Sequence, residues 1–328
     1  MPVWVRSISP YGGMMKRYVF FFFAMLLLLT SGCGTSAPKG GSGFMTVTDS
    51  AGRTVHLDKK PERVILLTPT LAEIQHAVGG DFIAMGSTPS VRIPDYAKNK
   101  PSVGMSYQVD MEALISMKPD LVVGLNGLNN GIAQGLEQNR VPFLLFSLSA
   151  YDDVKRAVEI LAEAAGNRGK GKEVCTGLDR RMQETIDSLP KEKATFAVIH
   201  GTGKALTIES KGSIACDVAE RIGLSNVFEE LKMKDIGHMP PFSMEQLAVK
   251  DPDIIFLTTM VHQGKESDVF RKSMMAHPAW GSMRAVKNGK VYLLPQDLFL
   301  SSPGIHYPEA VQVMADLVYS AGKGKEGT

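Results

Sequence analysis

Any chemistry in this chain must come from a short inventory of reactive side chains: 3 cysteines, 7 histidines, 8 tyrosines and 18 methionines supply every thiol, imidazole, phenol and thioether. A thiol or hydroxyl becomes a nucleophile beside a positioned base, and the chain carries no nucleophile elbow, P-loop, dinucleotide glycine fingerprint or paired-cysteine cluster motif. What remains are donor atoms in loops. Met105 and Tyr107 lie between an expected strand and an expected helix, and His238 and Met239 occupy the corresponding loop of a later segment. His262 follows an apolar strand, and His306 sits in Pro303-Gly304-Ile305-His306-Tyr307. Phenolate is a hard donor that favours ferric iron, a thioether is soft, and imidazole is a common ligand to both kinds of metal. The histidines are too scattered to impose a bare-metal site. Most methionines, such as Met111, Met117 and Met244, fall at core positions where a flexible thioether fills gaps, so their number is no argument for copper.

The elements that must position these residues begin after an export label. Lys16 and Arg17 precede an unbroken apolar run from Tyr18 to Leu29, then Thr30-Ser31-Gly32-Cys33. The run is below the ~20 residues a helix needs to span a bilayer, and its flanks fit a signal peptide. Small residues before Cys33 resemble the lipobox of bacterial lipoproteins, which implies lipidation of that thiol, although Thr30 stands where Leu is usual. Met14 or Met15 directly precedes the basic pair and is expected to be the true start. Residues 34–44 are small and polar and read as a flexible tether. Cys175 and Cys216 are expected to be two free thiols.

Beyond the tether the length suits two domains, and the net charge of +2 with no long basic block gives no argument for nucleic acid. The decisive internal signal is a repeat. Asp110-Met111-Glu112-Ala113-Leu114-Ile115 leading to Pro119-Asp120-Leu121-Val122-Val123 recurs as Ser243-Met244-Glu245-Gln246-Leu247-Ala248 leading to Pro252-Asp253-Ile254-Ile255-Phe256. Each copy reads as an N-cap, a short amphipathic helix stopped near proline, and a strand buried on both faces. Arg63–Leu67 and Thr195–His200 read as opening strands, the first feeding a helix for which Thr70 and Glu73 are expected to form a capping box. The fold expected is α/β, with two Rossmann-like lobes joined by a single long helix and a ligand cleft between the lobes. The expected boundaries are signal peptide 1–33, tether 34–44, N-terminal lobe 45–167, connecting helix 168–190, C-terminal lobe 191–322 and tail 323–328. A helical connector predicts limited hinge closure.

Taken together, these features resemble the solute-binding proteins of iron-siderophore, haem and cobalamin ABC importers. Glu62-Arg63-Val64-Ile65-Leu66-Leu67, Lys118-Pro119-Asp120-Leu121-Val122-Val123, and Trp280 with Ala285 to Tyr292 carry the resemblance. It implies an extracytoplasmic monomer, tethered to the membrane through Cys33, that hands a small-molecule ligand to a permease dimer with its ATPase and has no catalytic cofactor. It also implies that Glu112 and Glu245 dock on permease arginines; a first-turn Glu complements the helix dipole, but that alone does not explain the same register in both lobes.

Within the family, Val103-Gly104, Asp110-Met111-Glu112 and Gly201–Ser210 resemble the haem-binding lipoproteins of Gram-positive surface relays. There the iron is held by a Met before the Asp-Met-Glu run and a His after a second-lobe strand. The matching positions are Tyr107, with Met105 nearby, and His262, which implies ferric haem with Tyr107 and His262 as axial ligands. Met105, His238, Met239 and His306 are further cleft candidates. Cobalamin or a ferric siderophore is the alternative ligand, and an enzyme on a chelatase- or nitrogenase-like scaffold the remote one.

Overall fold

The computed structural model describes residues 43–88, 91, 93–202, 206–230, 243–259, 272 and 274–320. Cys33, His238, Met239 and His262 lie outside the described residues.

In the first lobe a hairpin of β1 (Met45–Thr48) and β2 (Thr54–Leu57) precedes the opening strand β3 (Val64–Leu66). There follow α1 (Pro69–Ala77), β4 (Ala84–Ser87), β5 (Ser102–Met105), β6 (Gln108–Val109), α2 (Met111–Ser116), β7 (Leu121–Leu125), α3 (Ala133–Gln138) and β8 (Phe143–Phe146). Six strands make one sheet in the order β6-β5-β4-β3-β7-β8, parallel except for β6. All of β3 is buried because helices cover both faces of the sheet, so its apolar run is continuous rather than alternating. Val64, Leu66 and Val123 face one apolar core, and Ile65, Val122 and Leu145 face another with Leu114 of α2 and Leu136 of α3.

Two helices, α4 (Tyr151–Ala164) and α5 (Arg168–Asp187), lead to the second lobe. Its elements are β9 (Thr195–Gly201), β10 (Leu206–Glu209), α6 (Ile214–Arg221), β11 (Ser225–Asn226), α7 (Met244–Lys250), β12 (Ile254–Thr259), α8 (Arg284–Lys287), β13 (Val291–Leu293), α9 (Gln296–Phe299) and α10 (Tyr307–Tyr319). The sheet order is β10-β9-β12-β13, with β11 also on β9, and β9, β12 and β13 run parallel. The long helix α5 packs on α4 and on α10, and one apolar core takes residues from both lobes.

The repeat extends to backbone detail. The Asp110 and Ser243 side chains accept from the third amides of α2 and α7. Lys118 and Asp251, at equivalent positions before the prolines, both adopt left-handed backbone, with φ of 49° and 41°. The Asp after each proline then clamps the start of the neighbouring opening strand: Asp120 accepts from the Glu62 and Arg63 amides, and Asp253 from the Thr195 amide and hydroxyl. The repeated Pro-Asp pair is thus the joint that sets the register of β3 on β7 and of β9 on β12.

One local expectation fails. The N-cap of α1 is Thr68, whose hydroxyl accepts from the Leu71 amide, because Pro69 takes the first helical position. Thr70 and Glu73 are thereby freed for contacts outside the helix. Cys175 and Cys216 are both buried and free.

Candidate ligand-binding cleft

Residues following the carboxyl ends of the two sheets meet one another, so both edges converge on one boundary. Thr70, beyond β3, donates to the Ser302 carbonyl, and Ser302 donates to the carbonyl of Leu148, beyond β8. The Tyr151 amide donates to Asp217 of α6, which also accepts from the buried Tyr307 hydroxyl at 2.5 Å and from Arg221 Nε at 2.7 Å. In open α/β sheets the ligand crevice lies at such carboxyl edges.

On the first-lobe rim, Met105 pairs with Gln108 across a two-residue turn, Ser106-Tyr107. Gly104 takes the left-handed backbone, φ +94°, and a Cβ there would stand 2.7 Å from the Gln108 carbonyl, so only glycine lets the strand turn this tightly. Ser106 is the anchor. It is buried, its amide and hydroxyl donate to the Ser87 carbonyl, its hydroxyl pairs with that of Thr88, and its carbonyl accepts from Asn129 Nδ2 at 2.7 Å. Asn129 Oδ1 in turn accepts from the Leu125 amide, which ties the loop after β7 to the hairpin. With Ser106 turned inward, Tyr107 is turned outward at 62% exposure, and Leu128 on the neighbouring loop is 45% exposed. A phenol and an apolar side chain thus stand on a rigid, hydrogen-bonded rim. Met105 Sδ accepts from the Ser87 hydroxyl at 3.3 Å, which keeps the thioether at the strand end.

On the second-lobe rim, β9 and β12 end in a polar cluster that sequence patterning passes over. His200 Nδ1 lies 3.0 Å from Thr258 Oγ1, and Thr258 donates to Glu209 Oε1. All three side chains are buried, and the equally buried hydroxyl of Ser210, next in sequence to Glu209, has no partner among the described residues. The signal available in the sequence was a charged residue, Glu209, closing an otherwise strand-like Leu206-Thr207-Ile208 run.

His306 is engaged elsewhere. Its Nδ1 lies 2.9 Å from Glu309 and its Nε2 3.5 Å from Glu73 of α1, and the bond to Glu73, with Glu309 assisting, pushes its pKa up to about 9. A protonated ring between two carboxylates has no lone pair to give a ligand. Glu112 and Glu245 are both exposed in the first turns of α2 and α7. Its own backbone amide and the Ser243 hydroxyl hold the Glu245 carboxyl below the usual range, and His277 Nε2 lies 3.5 Å away.

The pattern of the family described as periplasmic binding protein matches residues 64–298, more than two thirds of the chain. The chain belongs to the periplasmic binding protein family. The family consists of solute-binding proteins, not enzymes. Among similar proteins, an Fe(3+)-citrate-binding protein of Bacillus subtilis is 24% identical over 296 residues, covering 86% of this chain and 90% of that one. A high-affinity haem uptake system protein of Staphylococcus aureus is 21% identical over 262 residues, covering 79% and 86%. The structure of that S. aureus haem protein complexed with haem superposes with a TM-score of 0.70 at 18% identity, covering 78% of this chain and 98% of that one. A catecholate-siderophore binding protein of Vibrio cholerae gives 0.66 at 18% identity, covering 84% and 99%. These likenesses establish the two-lobed periplasmic binding protein fold, with its ligand cleft between lobes. Among the described residues no helix is long and apolar enough to cross a membrane.

Proposed function

We propose that this chain is the extracytoplasmic solute-binding subunit of an ABC importer for an iron-containing ligand, ferric haem, tethered to the membrane by a lipid on Cys33. The observation that carries the reading is Tyr107, a phenol held 62% exposed at the carboxyl edge by a hairpin whose other residue, Ser106, is fully hydrogen-bonded. Tyr is normally half-buried with a wet hydroxyl, and a rim that spends so many bonds on projecting one suggests a ligand contact. Phenolate suits ferric iron, and Leu128, exposed on the loop that Asn129 ties to this hairpin, offers apolar surface for a macrocycle. The resemblance makes His262 the second-lobe donor. The printed names of relatives, iron(III) citrate in one and haem in another, support an iron complex as the cargo class. Glu112 and Glu245, at matching positions on the two lobes, are the permease-docking charges, and the carrier acts as a monomer.

The test is an absorption titration of the purified protein with ferric haem, beside Tyr107→Ala. A saturable Soret band that shifts in the variant, with affinity lowered about ten-fold or more, is expected. No saturable band in wild type, with tight binding of ferric citrate, a ferric siderophore or cobalamin instead, removes haem and leaves the importer reading in place.

A further inference from the structure

The second lobe contains a buried hydrogen-bonded chain, His200-Thr258-Glu209, that the haem reading leaves unused. His200 is the penultimate residue of β9, Thr258 is its register partner on β12, and Glu209 lies on β10. Their exposures are 7%, 1% and 4%. His200 Nδ1 stands 3.0 Å from Thr258 Oγ1 and 3.5 Å from Glu209 Oε1, and the Thr258 hydroxyl donates to that same carboxylate oxygen.

Counting protons determines the tautomer. A hydroxyl has one proton, and Thr258 gives its proton to Glu209, so Thr258 Oγ1 can only accept from the imidazole. Nδ1 therefore carries the ring proton and Nε2 the lone pair. Burial, opposed by Glu209, lowers the pKa of His200 and so disfavours a charged ring. Nε2 has no hydrogen-bond partner among the described residues. An imidazole held at one nitrogen by a hydroxyl and carboxylate, with the other nitrogen unpartnered, is the arrangement that orients metal-ligating histidines and raises their basicity. Other described histidines differ in setting: His306 lies between two carboxylates, His76 stacks on Tyr96, His277 faces Glu245, and His56, whose Nδ1 lies 2.9 Å from Thr46 Oγ1, is exposed on the β1–β2 hairpin with no carboxylate behind that hydroxyl among the described residues.

We propose that His200, held from behind by Thr258 and Glu209, donates Nε2 to the ferric iron of the transported ligand from the second lobe, in the place that the resemblance gives to His262. The proposal rests on the haem reading. Coordination forms an Fe–Nε2 bond and displaces one water from iron. The Nδ1 proton stays in place, so neither the oxidation state nor the proton count changes.

The test titrates the full chain with ferric haem as wild type, His200→Ala, His262→Ala and Thr258→Val, read by absorption and by electron paramagnetic resonance. The expected result is a six-coordinate spectrum in wild type and a five-coordinate, high-spin spectrum in His200→Ala that added imidazole returns to six-coordinate. Thr258→Val is expected to lower affinity on the order of ten-fold, as loss of an outer-sphere partner does. A wild-type spectrum in His200→Ala overturns the proposal and leaves the haem reading standing. No saturable Soret band in wild type overturns the haem reading and the proposal with it. Long-range proton–nitrogen NMR of the unliganded wild type provides a check that no variant's folding can disturb: a proton on His200 Nε2 also overturns the proposal.

Discussion

Tyr107 is exposed because Ser106 is buried: adjacent residues in a two-residue turn cannot both face inward, and Ser106 holds the inner place through bonds to Ser87, Thr88 and Asn129. The same logic of neighbours governs the thiols. Burial pushes the Cys175 thiol up to about 11 and raises that of Cys216 as well, so neither forms thiolate at neutral pH. With Cys33 replaced by Ala, a disulfide-exchange reagent at pH 8 is expected to label neither cysteine in the folded protein and both in denaturant. Rapid labelling without denaturant would contradict the burial of Cys175 between α4 and α5 or of Cys216 on α6.

Among elements, α1 and the segment before α10 form a clamp across the lobes. Gly304 has a left-handed φ of +53°, and a Cβ there would meet Thr70 Cγ2 at 2.6 Å, so the approach of the two segments depends on glycine. His306 adds a charged tie between Glu73 and Glu309. Its folded pKa of about 9 lies above the unfolded value of ~6.5, so its contribution is complete below pH ~6.5 and is lost as pH rises through 9. Melting temperature is expected to fall from pH 6.5 to 9.5 in wild type, with a smaller fall in His306→Gln. Equal slopes in the two proteins would mean that the tie contributes nothing. The ring is part-exposed, so solvent screening keeps the effect modest.

At the scale of the whole molecule, two equivalent helices, α2 and α7, each present a first-turn Glu. Replacing Glu112 and Glu245 together by Ala is expected to leave ligand affinity within about two-fold, since both are exposed in the first turns of their helices, while uptake in cells falls about ten-fold or more through lost docking charge. Unchanged uptake would return both residues to a helix-dipole role. The shared apolar core, α5 lying against α4 and α10, and the Asp217 hub hold the two lobes together through many contacts. Ligand capture is therefore expected to proceed with small lobe movement, which scattering of the free and loaded protein measures.

Much of this architecture was legible in the amino-acid order, because caps, prolines and apolar periods act over a few residues. Asp110 and Ser243 do cap their helices, and Pro119 and Pro252 stand between helix and strand in both copies. The repeat at equal spacing was enough to imply two alike α/β lobes. Thr68 displaced Thr70 as a cap because the fixed backbone of Pro69 outranked the Thr-x-x-Glu pattern. Only the tertiary structure could bring His200, Glu209 and Thr258 together, since strand register, not sequence distance, brings them side by side. It alone also placed His306 against Glu73, more than two hundred residues away, and gave Asn129 the task of bracing Ser106. Local rules specify elements, whereas a binding edge is assembled where the ends of separate elements meet, and that meeting is decided by how the sheets and helices pack.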